Sequence, residues 1–442
     1  MIVLRFERGT VVAEGGAIPF GVRDASSGNY RASAHLHDVI VKRLASKGVE
    51  FRDEVVANLP LSPLSSNFKL RDYQDEALRA WRQAGRRGVV VLPTGAGKTV
   101  LALKAIEELG KATLVVVPTL VLVDQWRERL KEVFGIDVGV LGGGHRDVRA
   151  ITVSTYDSAA IQAPTIGNRF CFIVLDEVHH LPAPSYRRIG FMYTAPHRLG
   201  LTATLSKKEG AADAIMEMVG ELVYETFVDD LAGVHLSDYS VCTVRVPLSE
   251  VEQLEYDRRF SQYRGYLQRR GIKIRSAKDY QRFVQRTGRD PEARRALLAR
   301  NRAMDLAQNS SSKVVYLKGL LEENQDEKAI IFTRHNKLVY RVSRSMLIPA
   351  ITHQTPREER QEILVGFKEG RYLRVVTSQV LDEGVDVPDA SLAVILSGTG
   401  SGRQFIQRLG RVLRKKGGKK AKLVELVSMG TAETQASRRR KQ

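Results

Sequence analysis

The sequence predicts an α/β protein in which two parallel-sheet domains flank a basic helical insertion and follow a small N-terminal domain. Near-continuous apolar runs of strand length alternate with helical patterns in two separate blocks, as strands covered on both faces do. Between the blocks, residues 250–310 lose the strand signal and turn helical, basic and rich in aromatics. The chain of 442 residues is 43% hydrophobic and 27% charged, which excludes a disordered or fibrous protein.

Taken in order, residues 1–60 alternate short apolar runs with turn residues such as Gly15-Gly16 and Ser26-Ser27-Gly28-Asn29. They end in the linker Leu59-Pro-Leu-Ser-Pro-Leu-Ser-Ser. A first α/β domain is expected over 61–245, with strands at 88–92, 112–118, 150–155 and 170–176. The insertion covers 246–310 and carries Phe260, Tyr263, Tyr266, Tyr280 and Phe283 among its arginines, rings that could stack on bases or sit against the nucleic-acid backbone, although aromatics at helical spacing are more often core. The second α/β domain follows over 311–442, with strands at 328–333, 347–352, 372–377, 392–397 and 422–427.

No run approaches the roughly 18 apolar residues of a membrane span, and the start is charged where a signal peptide is apolar. An intracellular protein is expected. Two cysteines, Cys171 and Cys242, cannot build a disulfide framework or a zinc site and are expected to be packing residues.

The net charge of +19 points to a polyanionic partner, nucleic acid before membrane. Its distribution is uneven. Residues 258–302 are net +12 and residues 403–442 net +11, which leaves the remainder at −4. Each segment could be a solvated face or a tail, or a surface that touches phosphates.

After the strand at 88–92 comes Pro93-Thr-Gly-Ala-Gly-Lys-Thr99 and then a helical run. This is the order of a P-loop: the backbone of Thr94, Gly95, Ala96, Gly97 and Lys98 wraps phosphates, the Lys98 ammonium reaches the β and γ oxygens, and Thr99 ligates Mg²⁺. Leu92 stands where the general pattern wants glycine. The second element is a buried strand ending in Asp176-Glu177-Val-His-His180. Asp176 can hold Mg²⁺ and Glu177 can orient and deprotonate the water that attacks the γ-phosphate; a strand-end acidic pair can also cap a helix. Adjacent His179 and His180 diverge and suit coupling better than metal binding. The second block has no phosphate loop of its own. It offers Gln407, Arg411 and Arg414 on one helical face, either a basic surface or an arginine supply for the charge that develops on the transferred phosphoryl group.

These motifs resemble those of superfamily 2 helicases and translocases, and among them the XPB (Rad25) family, over nearly the whole chain. Leu70-Arg71-Asp-Tyr-Gln74 resembles the adenine-reading motif. The segments around Thr119 and Gln125-Trp126, and Val153-Ser-Thr155-Tyr156, resemble strand-contacting motifs of the first lobe, and Leu201-Thr-Ala-Thr204 the coupling motif. Ile330-Ile-Phe-Thr333, Val380-Leu-Asp-Glu-Gly384-Val-Asp386 and the 407–414 helix resemble the second-lobe motifs. DEVHH and the glycine-rich stretch from Ser397 favour XPB over RNA-directed relatives.

The resemblance implies two RecA-like parallel-sheet domains with a small N-terminal α+β domain of damage-recognition type and a helical thumb. It implies ATP and Mg²⁺ as cofactors, nucleotide contacts at Gly384 and Asp386, and the ATP site as a cleft between the lobes. DNA contacts are expected at Thr119, Thr155, Tyr156, Lys207 and Lys208, and on the thumb at Arg269, Arg270, Arg275 and Arg282. Duplex or forked DNA is the implied partner of a monomeric motor, cytoplasmic in a prokaryote and nuclear in a eukaryote, with a nuclease or a repair or transcription protein beside it. The family's Arg-Glu-Asp element falls at Lys207-Lys208-Glu209, where arginine loses its planar fork and a glutamate position reverses sign. Three readings stay open: a DNA motor in repair or transcription, an RNA helicase, and an ATP-switched DNA clamp that recruits a nuclease.

Overall fold

The computed structural model describes residues 1–93, 95–205, 210–226, 239–378, 390–397 and 421–434. The chain divides into two compact units, one from Met1 to Leu231 and one beginning at Ala232.

The first unit opens with a five-stranded sheet, β1 (Ile2–Glu7), β2 (Thr10–Glu14), β3 (Val22–Arg23), β4 (Tyr30–Ser33) and β5 (Phe51–Glu54), in the order β3-β4-β2-β1-β5. Helix α1 (His37–Ser46) packs Ile40 and Leu44 against Leu4, Val11 and Ala13 of this sheet. The β1–β2 hairpin turns on Arg8 and Gly9, both at positive φ (48° and 84°), the two-residue turn that matches strand twist. A Cβ at Gly9 would strike Met192, so the hairpin tip sits flush on the next domain. The linker is tied there as well: Ala57 N donates to Asn168 O and Asn168 Nδ2 to Val55 O, while Asn58 Nδ2 lies 2.7 Å from Cys171 Sγ.

The larger sheet of the first unit contains β6 (Arg87–Val91), β7 (Thr113–Val117), β8 (Gly139–Gly142), β9 (His145–Asp147), β10 (Ile151–Thr155), β11 (Phe172–Asp176), β12 (His197–Thr202) and β13 (Leu222–Glu225). Their order is β13-β6-β12-β11-β7-β10-β8-β9, parallel except for β9. β7, β10 and β11 are buried at every position, because α2 (Asp72–Gln83), α3 (Lys98–Leu109), α4 (Leu120–Phe134), α5 (Tyr156–Ile166), α6 (Arg187–Met192) and α7 (Ala211–Val219) cover the sheet. β12 carries a fully buried arginine. The Arg198 guanidinium donates to the carbonyls of Gly190, Tyr193, Ala195 and Met218, which fastens α6 and α7 to the sheet. Burial, with Arg87 nearby, lowers its pKa to about 9.

The second unit has a six-stranded parallel sheet of β14 (Tyr239–Val246), β15 (Ala329–Phe332), β16 (Ala350–Ile351), β17 (Arg374–Thr377), β18 (Leu392–Ile395) and β19 (Ala421–Ser428), in the order β14-β19-β18-β15-β17-β16. β14 pairs with β19 along its full length, so residues 239–245 join this sheet and not the first α/β domain, to which the sequence had assigned them. Between β14 and β15 run α8 (Glu250–Arg269), α9 (Ala277–Arg286), α10 (Pro291–Gln308) and α11 (Ser311–Glu323). Ser249 and Glu252 form a capping box at the start of α8, and Asp290 with Pro291 starts α10. Buried alanines at 293, 296, 299, 303 and 307 recur at helical spacing on α10. Helices α12 (Asn336–Met346) and α13 (Arg357–Glu369) complete the unit.

The aromatics of the insertion are core residues, contrary to the expected base stacking. Tyr263, Tyr266 and Phe283 are buried together, with Phe260 and Tyr280 packed on them. Burying one such ring contributes roughly 1.5–3 kcal/mol, about what a base stack would return, so drawing a ring out gains nothing. Cys242 is exposed and Cys171 half-buried, so Cys242 does not act as a packing residue. Among the described residues no helix is long and apolar enough to cross a membrane.

Candidate nucleotide and nucleic-acid site

The described site residues expected in the first unit gather at one edge of its larger sheet, the carboxyl ends of the parallel strands, where open α/β sheets bind ligands. β6 runs into the glycine loop, β7 into Thr119, β10 into Thr155, and β11 ends at Asp176. Asp176 pairs in register with Leu201 of β12, which brings the coupling segment alongside.

Gly95 (φ 86°) and Gly97 (φ 80°) take left-handed backbone conformations, and Gly97 caps the N-terminus of α3. Lys98 Nζ donates to Leu92 O at 3.3 Å, which folds the ammonium back across the loop. The loop is latched from α2. Tyr73 OH donates to Ala96 O at 2.7 Å and Gln74 Nε2 to the same oxygen at 2.8 Å, while Gln74 Oε1 accepts from Arg71 N at 3.0 Å. Gln74, expected to read adenine, therefore spends both ends of its amide on protein and is 3% exposed. A Cβ at Gly97 would collide with Gln74 Nε2. Tyr73 went unread in the sequence, although it adjoins Gln74; an aromatic beside a motif gives no sign that its hydroxyl reaches a loop 23 residues on.

Asp176 and Glu177 are each 8% exposed. Trp126 Nε1 donates to Asp176 Oδ2 at 3.0 Å, Tyr156 OH donates to Asp176 O at 3.0 Å, and Glu177 N donates to Asp176 Oδ1 at 3.1 Å. Burial raises the Asp176 carboxyl pKa, and the Glu177 charge adds to it against the pull of Lys98. On Glu177 burial acts in the same direction but is outweighed by His179, Lys98 and His180, so its carboxyl is held below its usual range and stays ionised. Glu177 itself sits at φ 52°, a left-handed conformation that turns its side chain out of the strand path.

Glu177 Oε2 is buried without a hydrogen bond among the described residues, 3.3 Å from His179 Nδ1. That nitrogen also lies 3.2 Å from Thr202 Oγ1, whose only proton goes to Thr204 O at 2.9 Å. Nδ1 therefore carries the hydrogen, and DEVHH is joined to the coupling segment through it. Among the described residues no set of three His, Cys, Asp or Glu side chains could cage a metal. One carboxylate and one hydroxyl, Asp176 and Thr99, fit Mg²⁺, which takes most of its ligands from phosphates and water.

Thr119 and Thr155 are N-caps: their hydroxyl oxygens accept from Leu122 N at 3.3 Å and Ser158 N at 3.2 Å. Tyr156, expected to touch DNA, is instead 1% exposed and braces Asp176 from within the core. In the second unit Arg269, Arg270, Arg275 and Arg282 are all exposed; Arg269 and Arg270 both pair with Glu292, and Arg282 lies 3.9 Å from Asp279. Thr94, Lys207, Lys208, Gly384, Asp386, Gln407, Arg411 and Arg414 lie outside the described residues.

Three family models match the chain: the XPB helicase damage recognition domain over residues 4–55, the res subunit of type III restriction enzymes over 67–207, and the helicase conserved C-terminal domain over 312–416. A DNA 3'-5' translocase XPB2 of Sulfurisphaera tokodaii is 41% identical over 442 residues, the full length of both chains. The chain belongs to the XPB helicase family. An XPB helicase of Mycobacterium tuberculosis is 28% identical over 81% of this chain and 60% of its own length. The yeast XPB/SSL2 helicase/translocase subunit of general transcription and DNA repair factor IIH is 27% identical over 85% and 44%. The chain thus spans about half the length of these two XPB relatives. In fold it is similar to the Hef helicase domain of Pyrococcus furiosus, with a TM-score of 0.55 at 19% identity over 84% of this chain and 98% of that one.

Proposed function

We propose that this XPB-family chain is a DNA-dependent ATPase that moves on or opens duplex DNA with 3'-5' polarity, in nucleotide excision repair, transcription or both. The observation that carries the reading is the buried Asp176–Glu177 pair beside the latched glycine loop, with Glu177 held ionised beside His179. Backbone amides of residues 94–98 would bind the phosphates and Lys98 would take the β and γ oxygens. Thr99 and Asp176 would hold Mg²⁺, which supplies charge neutralisation there. Glu177 would orient the attacking water and accept its proton, and His179 would report the state of Glu177 to Thr202. Gln407, Arg411 and Arg414 would stabilise charge on the transferred group, with Gly384 and Asp386 contacting the nucleotide.

Thr119 and Thr155 at the heads of α4 and α5, together with Lys207, Lys208, Arg275 and Arg282, are proposed to meet DNA, chiefly its phosphates. The Lys207-Lys208-Glu209 departure supports a second reading, an ATP-switched clamp that recruits a nuclease. The deciding experiment measures ATPase rate with duplex, forked and single-stranded DNA and with RNA, for the native chain and Glu177→Gln, alongside triplex displacement and fork opening. DNA-stimulated hydrolysis lost in the variant, with triplex displacement, supports the motor. Stimulation without movement supports the clamp, preference for RNA supports the RNA helicase, and no stimulation by DNA overturns the motor.

A further inference from the structure

Two buried side chains that take no part in the nucleotide chemistry both end on Asp176. Trp126 on α4 donates its indole N–H to the carboxylate oxygen Oδ2, and Tyr156 at the first position of α5 donates its hydroxyl to the main-chain oxygen. Each belongs to a helix whose head is one of the proposed strand contacts. α4 is capped by Thr119, seven residues and about 10 Å along the axis from Trp126. α5 is capped by Thr155, the residue that precedes Tyr156.

Asp176 has no slack between these supports. Oδ1 already accepts from Glu177 N, so Trp126 fixes the rotation of the carboxylate while Tyr156 fixes its backbone. Both rings are tightly packed, Trp126 at 2% and Tyr156 at 1% exposure, so a small tilt of either helix has no empty space to dissipate in. Partners of this kind orient a ligating group, and their loss typically costs 10- to 100-fold in metal affinity or activity.

We infer that Trp126 and Tyr156 are positioning residues that carry strand occupancy at the heads of α4 and α5 to the Asp176 carboxylate, so that DNA binding tightens the divalent-cation site. The inference rests on the proposed function, in which Thr119 and Thr155 meet DNA and Asp176 faces the nucleotide-bound cation. It assigns these two residues the coupling between the sites, which does not follow from either site alone.

The test uses the full chain with Mn²⁺ as probe and a non-hydrolysable ATP analogue. Free Mn²⁺ is followed by electron paramagnetic resonance with and without single-stranded DNA, and DNA binding by fluorescence anisotropy. In the native chain DNA should increase Mn²⁺ affinity. Trp126→Phe, which keeps an aromatic ring but removes the N–H, should weaken Mn²⁺ binding roughly 10- to 100-fold and shrink the DNA effect, with DNA affinity measured in the absence of Mn²⁺ unchanged. Tyr156→Phe removes one oxygen only and should shrink the DNA effect even if Trp126→Phe fails to fold. Native-like Mn²⁺ affinity and an undiminished DNA effect in the folded variants would overturn the inference. If the native chain binds DNA but shows no effect on Mn²⁺, the coupling fails while the motor reading stands. If it neither binds DNA nor is stimulated by it, both fall.

Discussion

Lys313 Nζ lies 2.7 Å from Glu433 Oε2, and neither side chain is exposed by more than 1%. The ammonium also donates to Leu396 O, and Glu433 accepts from Ser428 N, so the pair joins α11, the end of β18 and the end of β19. The sequence between these strands includes Gln407, Arg411 and Arg414, and the described residues on either side of it are anchored to one buried charge pair.

Removing one member of that pair leaves a buried charge uncompensated. Glu433→Gln is expected to destabilise the second unit by about 3–5 kcal/mol, read from chemical denaturation. The apolar double substitution Lys313→Met with Glu433→Leu should recover most of that loss; if it is as unstable as the single variant, the pair is not the cause.

Glu177→Gln keeps shape and removes the proton acceptor. Hydrolysis should fall by about 10²–10⁴ while analogue binding persists, since the loop and Lys98 are untouched. Loss of binding in this variant would assign Glu177 a structural role instead.

Gln74 holds Ala96 O, so Gln74→Ala should loosen the phosphate loop whatever base the nucleotide carries. A fall of about tenfold in kcat/KM, the consequence of losing roughly 1.4 kcal/mol of latch energy, is expected equally for ATP and GTP. A selective loss for ATP would show that the amide turns to read adenine after all.

His35 stands at the junction of the N-terminal domain with α6, edge-on to the Phe191 ring at 5.1 Å, beside Ser33, which donates to Phe191 O. Burial, then Arg198 and Arg87, push its pKa down to about 4 from 6.5. The unfolded chain binds the extra proton between those values, so this contribution is complete above about pH 6.5 and disappears as the pH falls through 4. Thermal unfolding of the first unit should drop between pH 7 and 5, and His35→Phe should flatten that difference.

All four thumb arginines named from the sequence are exposed, but Arg275 and Arg282 are not held by Glu292 as Arg269 and Arg270 are. If each neutralises one phosphate, replacing either by alanine should reduce the slope of log affinity against log salt by about 0.9. Arg269 and Arg270, held by Glu292, should change the slope less.

The sequence by itself determined the class of chemistry and the strands that carry it. The runs at 88–92, 112–118, 150–155 and 170–176 are largely apolar because both faces of a parallel strand are covered, and a glycine loop or an acidic pair at a strand end is a local pattern. β12 was legible only as a motif, since His197-Arg-Leu-Gly-Leu-Thr breaks the apolar run with an arginine that burial satisfies through four carbonyls. β14 is apolar and polar in turn, and nothing local says which sheet it joins; its partner β19 lies some 180 residues away in sequence. Aromatics among arginines look the same whether they pack inward or face a base, and only the packing of α8 against α10 placed them in the core. Tertiary structure alone decided that Tyr156 and Trp126 close on Asp176, that Gln74 latches the loop, and that Glu177 lies against His179. The physical reason is common to all of these: a hydrogen bond across the sheet edge depends on which strands become neighbours, and that is set by the whole packed layer, not by any window of the chain.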